Sequence, residues 1–526
     1  MRTLLYHGGV STSDVEPGST IPELLRRCVR EVGPEPYVVT TDDRLTYADA
    51  DRRSAEIARR LLHKGLGKGA RVGLFFTNGP EWVTWWLAVS RIGAVAVPLS
   101  TMYAPAEIRK VLRLADIQLF VAPGRVLTTD TGDTFEAALP GLTASTAGAL
   151  QLPETPYLRE IVLTGAPGRD WATGWSADLP AVSPEILTAV ENEVSPADPA
   201  IMIHTSGSTA DPKGVLHTHG TLVRQTSTWP AAIRHITQTP GTPRILCAMP
   251  MFWIGGVLAA TGALHEPVTL LVLPRLDPGP GLDLIERERA VGVIGWPAFT
   301  QRLREHPTFG ERDLSSAPML RDGPLDIAMA GVPEQFPVHR SLTETAGSFA
   351  YTEIRIIGSD GAQTPDGDVG ELLIRGVGVM AGYNKRERAE VFDPDGWYHT
   401  GDLVYRITGD PRLFYVGRTS ELIKSAGANV SPREVEAVVE SFDDVRQCIV
   451  LGVEDPTRGE QVCAVVIPAA PDIDLDSLRT RTREQLSAYK VPTRWFVTPS
   501  DRIPTLPSGK LDRRRLRALI VEDALT

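Results

Sequence analysis

Two periods of apolar residues run through this chain. Between residues 48 and 64, Ala55, Ile57, Ala58, Leu61 and Leu62 fall on one side of a 3.6-residue repeat, which predicts an amphipathic helix. Residues 71–76 and 94–99 are short, β-branched apolar runs that predict strands, and residues 82–92 between them predict a helix. Strand–helix–strand order implies a parallel sheet with helices on its faces. Residues 121–199 are rich in Pro, Gly, Thr and Ala and predict long surface connections. From residue 351 to 405 short strands such as 353–357 and 371–375 are separated by Gly, Asp and Pro turns, the pattern of a small β-rich unit. Beyond Gly417 the pattern becomes mixed: helix 432–442, strands 447–453 and 462–467, helix 475–487.

The expected fold class is therefore α/β. A large N-terminal domain, 1–417, has parallel-sheet α/β subdomains and a β-rich subdomain at about 345–417. A hinge at 418–420 leads to an α+β C-terminal domain, 421–526. The 526 residues allow three or four units of about 150 residues each. A net charge of −11 argues against a nucleic-acid footprint, which needs clustered Lys and Arg. Cys28, Cys247, Cys448 and Cys463 lie far apart with no metal spacing, as expected of reduced thiols in a cytoplasmic protein. The most membrane-like stretch, 249–264, carries Pro250 and several glycines and falls short of the ~20 apolar residues a bilayer needs. Residues 1–14 lack a signal-peptide core, so a soluble protein with no membrane insertion is expected.

The densest chemistry is His204-Thr-Ser-Gly-Ser-Thr-Ala-Asp-Pro-Lys-Gly-Val215. Residues 201–203 read as a strand running into a hydroxyl-rich loop. Its backbone N–H groups, with Thr205, Ser206, Ser208 and Thr209, can surround phosphate oxygens while Lys213 adds positive charge. On composition alone, a solvated turn is the commoner use of such residues. The Walker A order is absent.

Residues 205–215 resemble the phosphate loop of the adenylate-forming superfamily of acyl-CoA synthetases, adenylation domains and luciferases. Other segments resemble that family in the same order: Gly93-Ala-Val-Ala-Val-Pro98, Pro250-Met-Phe-Trp-Ile-Gly-Gly256, Thr343-Glu344, Trp397-Tyr-His-Thr-Gly-Asp402, Gly417-Arg418, Glu421-Leu-Ile-Lys424 and Pro507-Ser-Gly-Lys510. The resemblance implies a two-step reaction. A carboxylate displaces pyrophosphate from ATP to give an acyl-AMP, and a thiol then displaces AMP. It assigns Thr205, Ser206, Gly207, Ser208, Thr209 and Lys213 to phosphate, Asp402 and Arg418 to ribose, and Thr343 to the α-phosphate. It further assigns Glu344 to Mg²⁺ and Lys510 to the bridge between carboxylate and α-phosphate. Trp253, Gly255 and Gly256 fall in the acyl pocket, where the two glycines are expected to leave room beside the indole for a bulky acid. The segment lacks the Asp with which amino-acid-activating relatives hold an ammonium, so a plain carboxylic acid is expected. A large rotation of the C-terminal domain is implied between the steps. It withdraws Lys510 and brings Lys424 and Gly427 to the site, with Gly427 admitting pantetheine close to the backbone. Ser420 stands at the hinge position, usually Asp or Lys. With no carrier domain after Thr526, free CoA is the expected thiol.

Three positions depart from the family pattern. Ala210 stands where the phosphate loop has Gly, and a methyl there costs about 1–2 kcal/mol if the backbone is left-handed. Arg340 and Ser341 replace the aromatic-Gly pair that contacts adenine, although an arginine can still stack on a purine. Arg321-Asp-Gly-Pro324 stands for Gly-Gly-Ala-Pro. Because these changes cluster around ATP and spare Asp402 and Gly427, the expectation is an acyl-CoA ligase-type enzyme that retains thioesterification of acyl-AMP by CoA. Its use of ATP and Mg²⁺ is in doubt, and a separate enzyme would supply the adenylate. The alternatives are a full ATP-dependent ligase, a silent adenylate-binding protein and a carrier-protein ligase. An oxidoreductase, suggested by Gly376-Val-Gly378, lacks a GxGxxG helix entry.

Overall fold

The computed structural model describes residues 19–165, 168–205, 211–321, 325, 352–358, 360–409, 413–418, 423–430, 432–470, 473–504 and 511–525. Its largest element is an eight-stranded sheet. The strand order is Gly382–Tyr383, Lys213–Thr218, Pro199–Thr205, Val95–Pro98, Arg71–Leu74, Leu119–Pro123, Glu160–Thr164, Thr173–Trp175. The six from Pro199–Thr205 onward run parallel to one another. Arg71–Leu74 and Val95–Pro98 are buried almost throughout because helices cover both faces, as parallel sheets require.

One covering helix, Pro80–Arg91, is buried along its whole circumference except at Glu81, because it is sandwiched between sheet and helix Tyr47–His63. Trp82, Trp85 and Trp86 fill that layer. Arg91 ends it inside the protein. Its charge is met by Glu191 at 2.6 Å and by Asp51, and its Nε donates to Ser54 Oγ at 3.0 Å. Tyr47–His63 is set by Thr46, whose hydroxyl oxygen accepts the Asp49 N–H. A second sheet of five strands runs Gly292–Gly295, Arg244–Ala248, Thr269–Leu271, Pro36–Val39, Arg44–Thr46.

The segment 121–199 corrects one expectation. It contributes Glu160–Thr164 and Thr173–Trp175 to the large sheet and adds helices Thr131–Ala138 and Pro184–Asn192. A three-residue apolar core, Ile161–Leu163, is enough for a strand once Leu119–Pro123 pairs with it, and such short runs vanish in a Pro/Gly-rich average.

Glu353–Ile357, Gly370–Arg375, Tyr398–Arg406 and Leu413–Arg418 form a wholly antiparallel sheet. After it comes a five-stranded sheet of Ile423–Ser425, Ala428–Val430, Val445–Asp455, Gly459–Pro468 and Arg494–Val497, with its own apolar core under helices Pro432–Glu440 and Leu475–Gln485. Stretch 249–264 is interior: helix Ile254–Gly262 buries Val257, Ala259 and Ala260. Among the described residues no helix is long and apolar enough to cross a membrane.

Candidate active site

Pro199–Thr205 and Lys213–Thr218 are antiparallel neighbours with Thr205 opposite Lys213, so the hydroxyl-rich segment is the connection of a hairpin. Lys213 stands at its base with Nζ 5.2 Å from the Tyr383 ring centre, and the Tyr383 and Tyr398 hydroxyls are 2.6 Å apart. Ser206, Gly207, Ser208, Thr209 and Ala210 lie outside the described residues. Beneath the hairpin, His204 is buried, and neither ring nitrogen has a hydrogen-bond partner among the described residues. Burial, with the Arg71 charge adding to it, holds that ring neutral by lowering its pKa to about 4. The strands pack tightly there, since a Cβ on Gly214 would come 2.8 Å from Met202 Sδ.

The two residues assigned to ribose are cross-strand partners: Asp402 pairs with Arg418 in the antiparallel sheet. The approach to Asp402 is fixed from below. Its N–H donates to Thr400 Oγ1 at 3.0 Å, the Thr400 hydroxyl donates to the Leu372 carbonyl at 2.7 Å, and the Gly401 N–H donates to Glu371 Oε1 at 3.2 Å. Gly401 has φ of +71°, a conformation natural to glycine. Trp397, which starts this segment, is buried with the Arg355 and Arg375 guanidiniums 4.4 and 4.5 Å from its ring centre.

Trp253 caps helix Ile254–Gly262 and stands half-buried in an aromatic cluster. Its ring centre is 5.4 Å from Phe252, 5.4 Å from Trp296 and 6.5 Å from Tyr489, all edge-on. The room expected at Gly255 and Gly256 is filled. A Cβ on Gly255 would lie 2.2 Å from the Met249 methyl, and one on Gly256 would lie 2.4 Å from the Pro250 carbonyl oxygen. The chain folds back through Met249–Met251, held by Asn78, which donates to the Met249 carbonyl and accepts from the Met251 N–H. These glycines therefore make room for the protein's own turn.

Ser425 and Ala428 pair across a two-residue turn in which Ala426 and Gly427 have φ of +51° and +82°. Two consecutive left-handed residues are the signature of a type I′ hairpin, which explains a glycine at the second place. Gly427 abuts Trp296: a Cβ there would lie 3.0 Å from indole Cδ2. Lys424 is exposed, and its N–H donates to Glu460 Oε2 at 2.7 Å. The C-terminal hairpin, Tyr489, Trp296 and Trp253 thus converge.

The sequence model described as AMP-binding enzyme matches residues 25–332, and that described as AMP-binding enzyme C-terminal domain matches residues 434–510. The chain belongs to the AMP-binding enzyme family. It is similar to a feruloyl-CoA synthase from an Amycolatopsis species, 32% identical over 90% of this chain and 93% of that one. It is also similar to an indoleacetate–CoA ligase from Aromatoleum aromaticum, 28% identical over 90% and 93%. Among solved structures, the amide bond synthetase McbA from Marinactinospora thermotolerans superposes with a TM-score of 0.73 at 26% identity, covering 94% of this chain and 99% of that one. With relatives that are acid–CoA ligases over nearly their full length, this AMP-binding enzyme is of the acyl-CoA ligase type.

Thr343, Glu344, Arg340, Ser341, Ser420 and Lys510 of this AMP-binding enzyme lie outside the described residues, as does the Arg418 side chain. Among those described, no three His, Cys, Asp or Glu side chains gather as a metal site. The four cysteines are free and buried, and burial raises Cys247 to about 12, which removes it from nucleophilic chemistry. Trp296 and Tyr489 were missed in the sequence. The one available signal was an indole placed at the end of strand Gly292–Gly295, directly before Pro297.

Proposed function

We propose that this AMP-binding enzyme forms the CoA thioester of an aryl or polycyclic carboxylic acid from its acyl-adenylate, with the ATP-dependent step weakened at Ala210. The supporting observation is the seating of Gly427 and Tyr489 of the C-terminal domain against Trp296 and Trp253. In that arrangement the acyl site is walled by four aromatic rings, which suits a flat, apolar acid. The feruloyl and indoleacetate ligases among its relatives act on acids of that kind.

The reaction is an acyl transfer. The CoA sulfur attacks the acyl carbonyl carbon, the bond from that carbon to the AMP phosphate oxygen breaks, and the thiol proton leaves to solvent. Asp402, on its rigid strand, accepts hydrogen bonds from the ribose hydroxyls and fixes the adenylate. Lys213 faces its phosphate, and the aromatic wall excludes water that would hydrolyse it. Lys510 and Glu344 serve the ATP step where it operates. A separate adenylating enzyme supplies the acyl-AMP.

The second reading is a full ATP-dependent ligase. It is favoured by Lys510, which is retained at the end of the matched C-terminal segment, 434–510. Incubation of free ferulic or indoleacetic acid with ATP and Mg²⁺, scored by pyrophosphate release, separates the two. The proposal expects release at least tenfold slower than CoA-ester formation from the synthetic acyl-AMP. Equal rates replace it with the second reading.

A further inference from the structure

A cluster of charged side chains is shut inside the junction between the two large domains. Lys490, just after helix Leu475–Gln485, is 4% exposed. Its Nζ donates to Glu107 Oε1 at 2.7 Å and to Glu434 Oε1 at 3.0 Å. Glu107 belongs to helix Pro105–Leu114 of the N-terminal domain, and Glu434 to helix Pro432–Glu440 of the C-terminal domain. Both carboxylates are nearly as buried, at 7% and 6% exposed. The second Glu107 oxygen accepts the hydroxyl of Ser487 and the Ala104 N–H, the latter at 2.9 Å. The Tyr103 and Tyr489 rings close the sides, their centres 5.7 and 5.6 Å from Nζ. Burial works against the Lys490 charge, but Tyr489, Glu434 and Glu107 outweigh it, so the ammonium is held above the ordinary lysine range.

An ion pair this dry adds little net stability, because desolvation offsets most of the attraction. What it supplies is discrimination. A placement that slides the C-terminal domain while the junction stays closed leaves Glu107 buried without its ammonium, whereas an apolar contact tolerates sliding. Tyr489, the neighbour of Lys490, is the residue whose ring meets Trp253. The backbone therefore links the ion cluster directly to the acyl wall.

We propose that Lys490 is a positioning residue for thioester formation: held by Glu434 of its own domain and paired across the junction with Glu107, it selects the domain orientation that sets Tyr489 and Gly427 against Trp253 and Trp296. The proposal rests on the acyl-transfer reading of that aromatic site. Lys490 touches no reacting atom, and its effect passes through domain placement.

Two measurements on the full chain test it. The four native cysteines are buried, so spin labels can be carried on Glu56→Cys and Glu484→Cys, both exposed and one in each domain. Electron–electron distance measurement on the unliganded protein is expected to give one dominant separation. Lys490→Met and the near-isosteric Glu107→Gln broaden or shift it. The exchange of charges in Glu107→Lys with Lys490→Glu restores it at least in part. In parallel, thioester formation from synthetic feruloyl-AMP and CoA falls at least tenfold in kcat in both single variants. Feruloyl-AMP binding, read by tryptophan fluorescence, changes less than threefold. Near-ultraviolet circular dichroism identifies any variant that has lost its fold, and Glu107→Gln is the control least prone to that. A wild-type distance distribution in folded Lys490→Met and Glu107→Gln overturns the proposal, whatever the activity. If the unsubstituted enzyme makes no thioester, the acyl-transfer reading fails, and the distances alone still decide the role of Lys490 in orientation.

Discussion

Trp296 occupies the space that a side chain at residue 427 would need, with indole Cδ2 3.0 Å and Cγ 3.1 Å from the position of a Cβ on Gly427. The contact joins a strand end of the N-terminal domain to a hairpin tip of the C-terminal one.

Gly427→Ala therefore carries two penalties. The left-handed conformation at φ +82° costs about 1–2 kcal/mol with a side chain, and the methyl presses into a ring held by Trp253. Thioester formation from synthetic acyl-AMP and CoA is expected to fall by roughly ten- to thirtyfold, taking 1.4 kcal/mol per factor of ten. Trp296→Ala in that background relieves the clash but not the strain, so part of the loss returns. A single Gly427→Ala variant with unchanged turnover would show that the hairpin tip moves clear of Trp296 during the reaction.

On the proposed weakening of the ATP step at residue 210, Ala210→Gly is expected to raise pyrophosphate release from acid, ATP and Mg²⁺ by about tenfold, the rate equivalent of the 1–2 kcal/mol that a left-handed conformation costs an alanine. Thioesterification of preformed acyl-AMP changes by less than about twofold on the same scale. Rates of both half-reactions in one preparation check this, and no gain in the first removes the steric argument.

Trp253→Ala removes three edge-on ring contacts at once. On the proposed reading it also removes the ring against which an aryl acid lies, and one aromatic pair contributes about 0.5–1.5 kcal/mol beyond its area, so KM for an aryl acyl-AMP is expected to rise by about two- to tenfold. A short aliphatic acyl-AMP, which cannot stack, rises much less. The ratio of the two KM values is the measurement, and an equal rise for both would assign Trp253 to packing alone.

Acid stability follows from buried histidines. Burial lowers His204 and His219 to about 4 and His265 to about 3, below the ordinary 6.5. His219 Nδ1 accepts the Ile21 N–H at 3.4 Å and has to stay unprotonated to do so. A lowered folded value means that the unfolded chain binds the proton first. The stabilisation is then complete above about pH 6.5 and declines by about 1.4 kcal/mol per pH unit for each ring as pH falls toward 4. Urea midpoints read by tryptophan fluorescence should drop between pH 7 and pH 5. His219→Gln, which keeps an acceptor but does not titrate, should flatten that slope.

How far the sequence could be read depended on the distance over which each signal acts. Helix Tyr47–His63 and the strands around residues 71–98 were legible because period, cap and flanking turns all lie within about twenty residues. The hairpin of Asp402 and Arg418 was legible only as two motifs, because their pairing is a matter of register. The glycines at 255 and 256 misled because the atoms that fill their space belong to Met249 and Pro250, and only a turn in three dimensions brings them back. Lys490 was invisible. Its partner Glu107 is 383 residues away, and no local pattern distinguishes it from a solvated lysine.

The last strand of the antiparallel sheet ends at Arg418 and the first of the C-terminal sheet begins at Ile423. Five peptide steps at about 3.5 Å each give that tether a reach of about 18 Å. Asp402 is laddered to Arg418, so the residue proposed to hold the sugar and the tether share one fixed end. Any motion of the C-terminal body leaves the start of its first strand within that radius of Arg418. On the proposed acyl-transfer reading, encounter between its hairpin and a held adenylate is thereby a search over angles within a small sphere. Lengthening the tether by a few Gly-Ser pairs would enlarge the sphere and dilute the encounter.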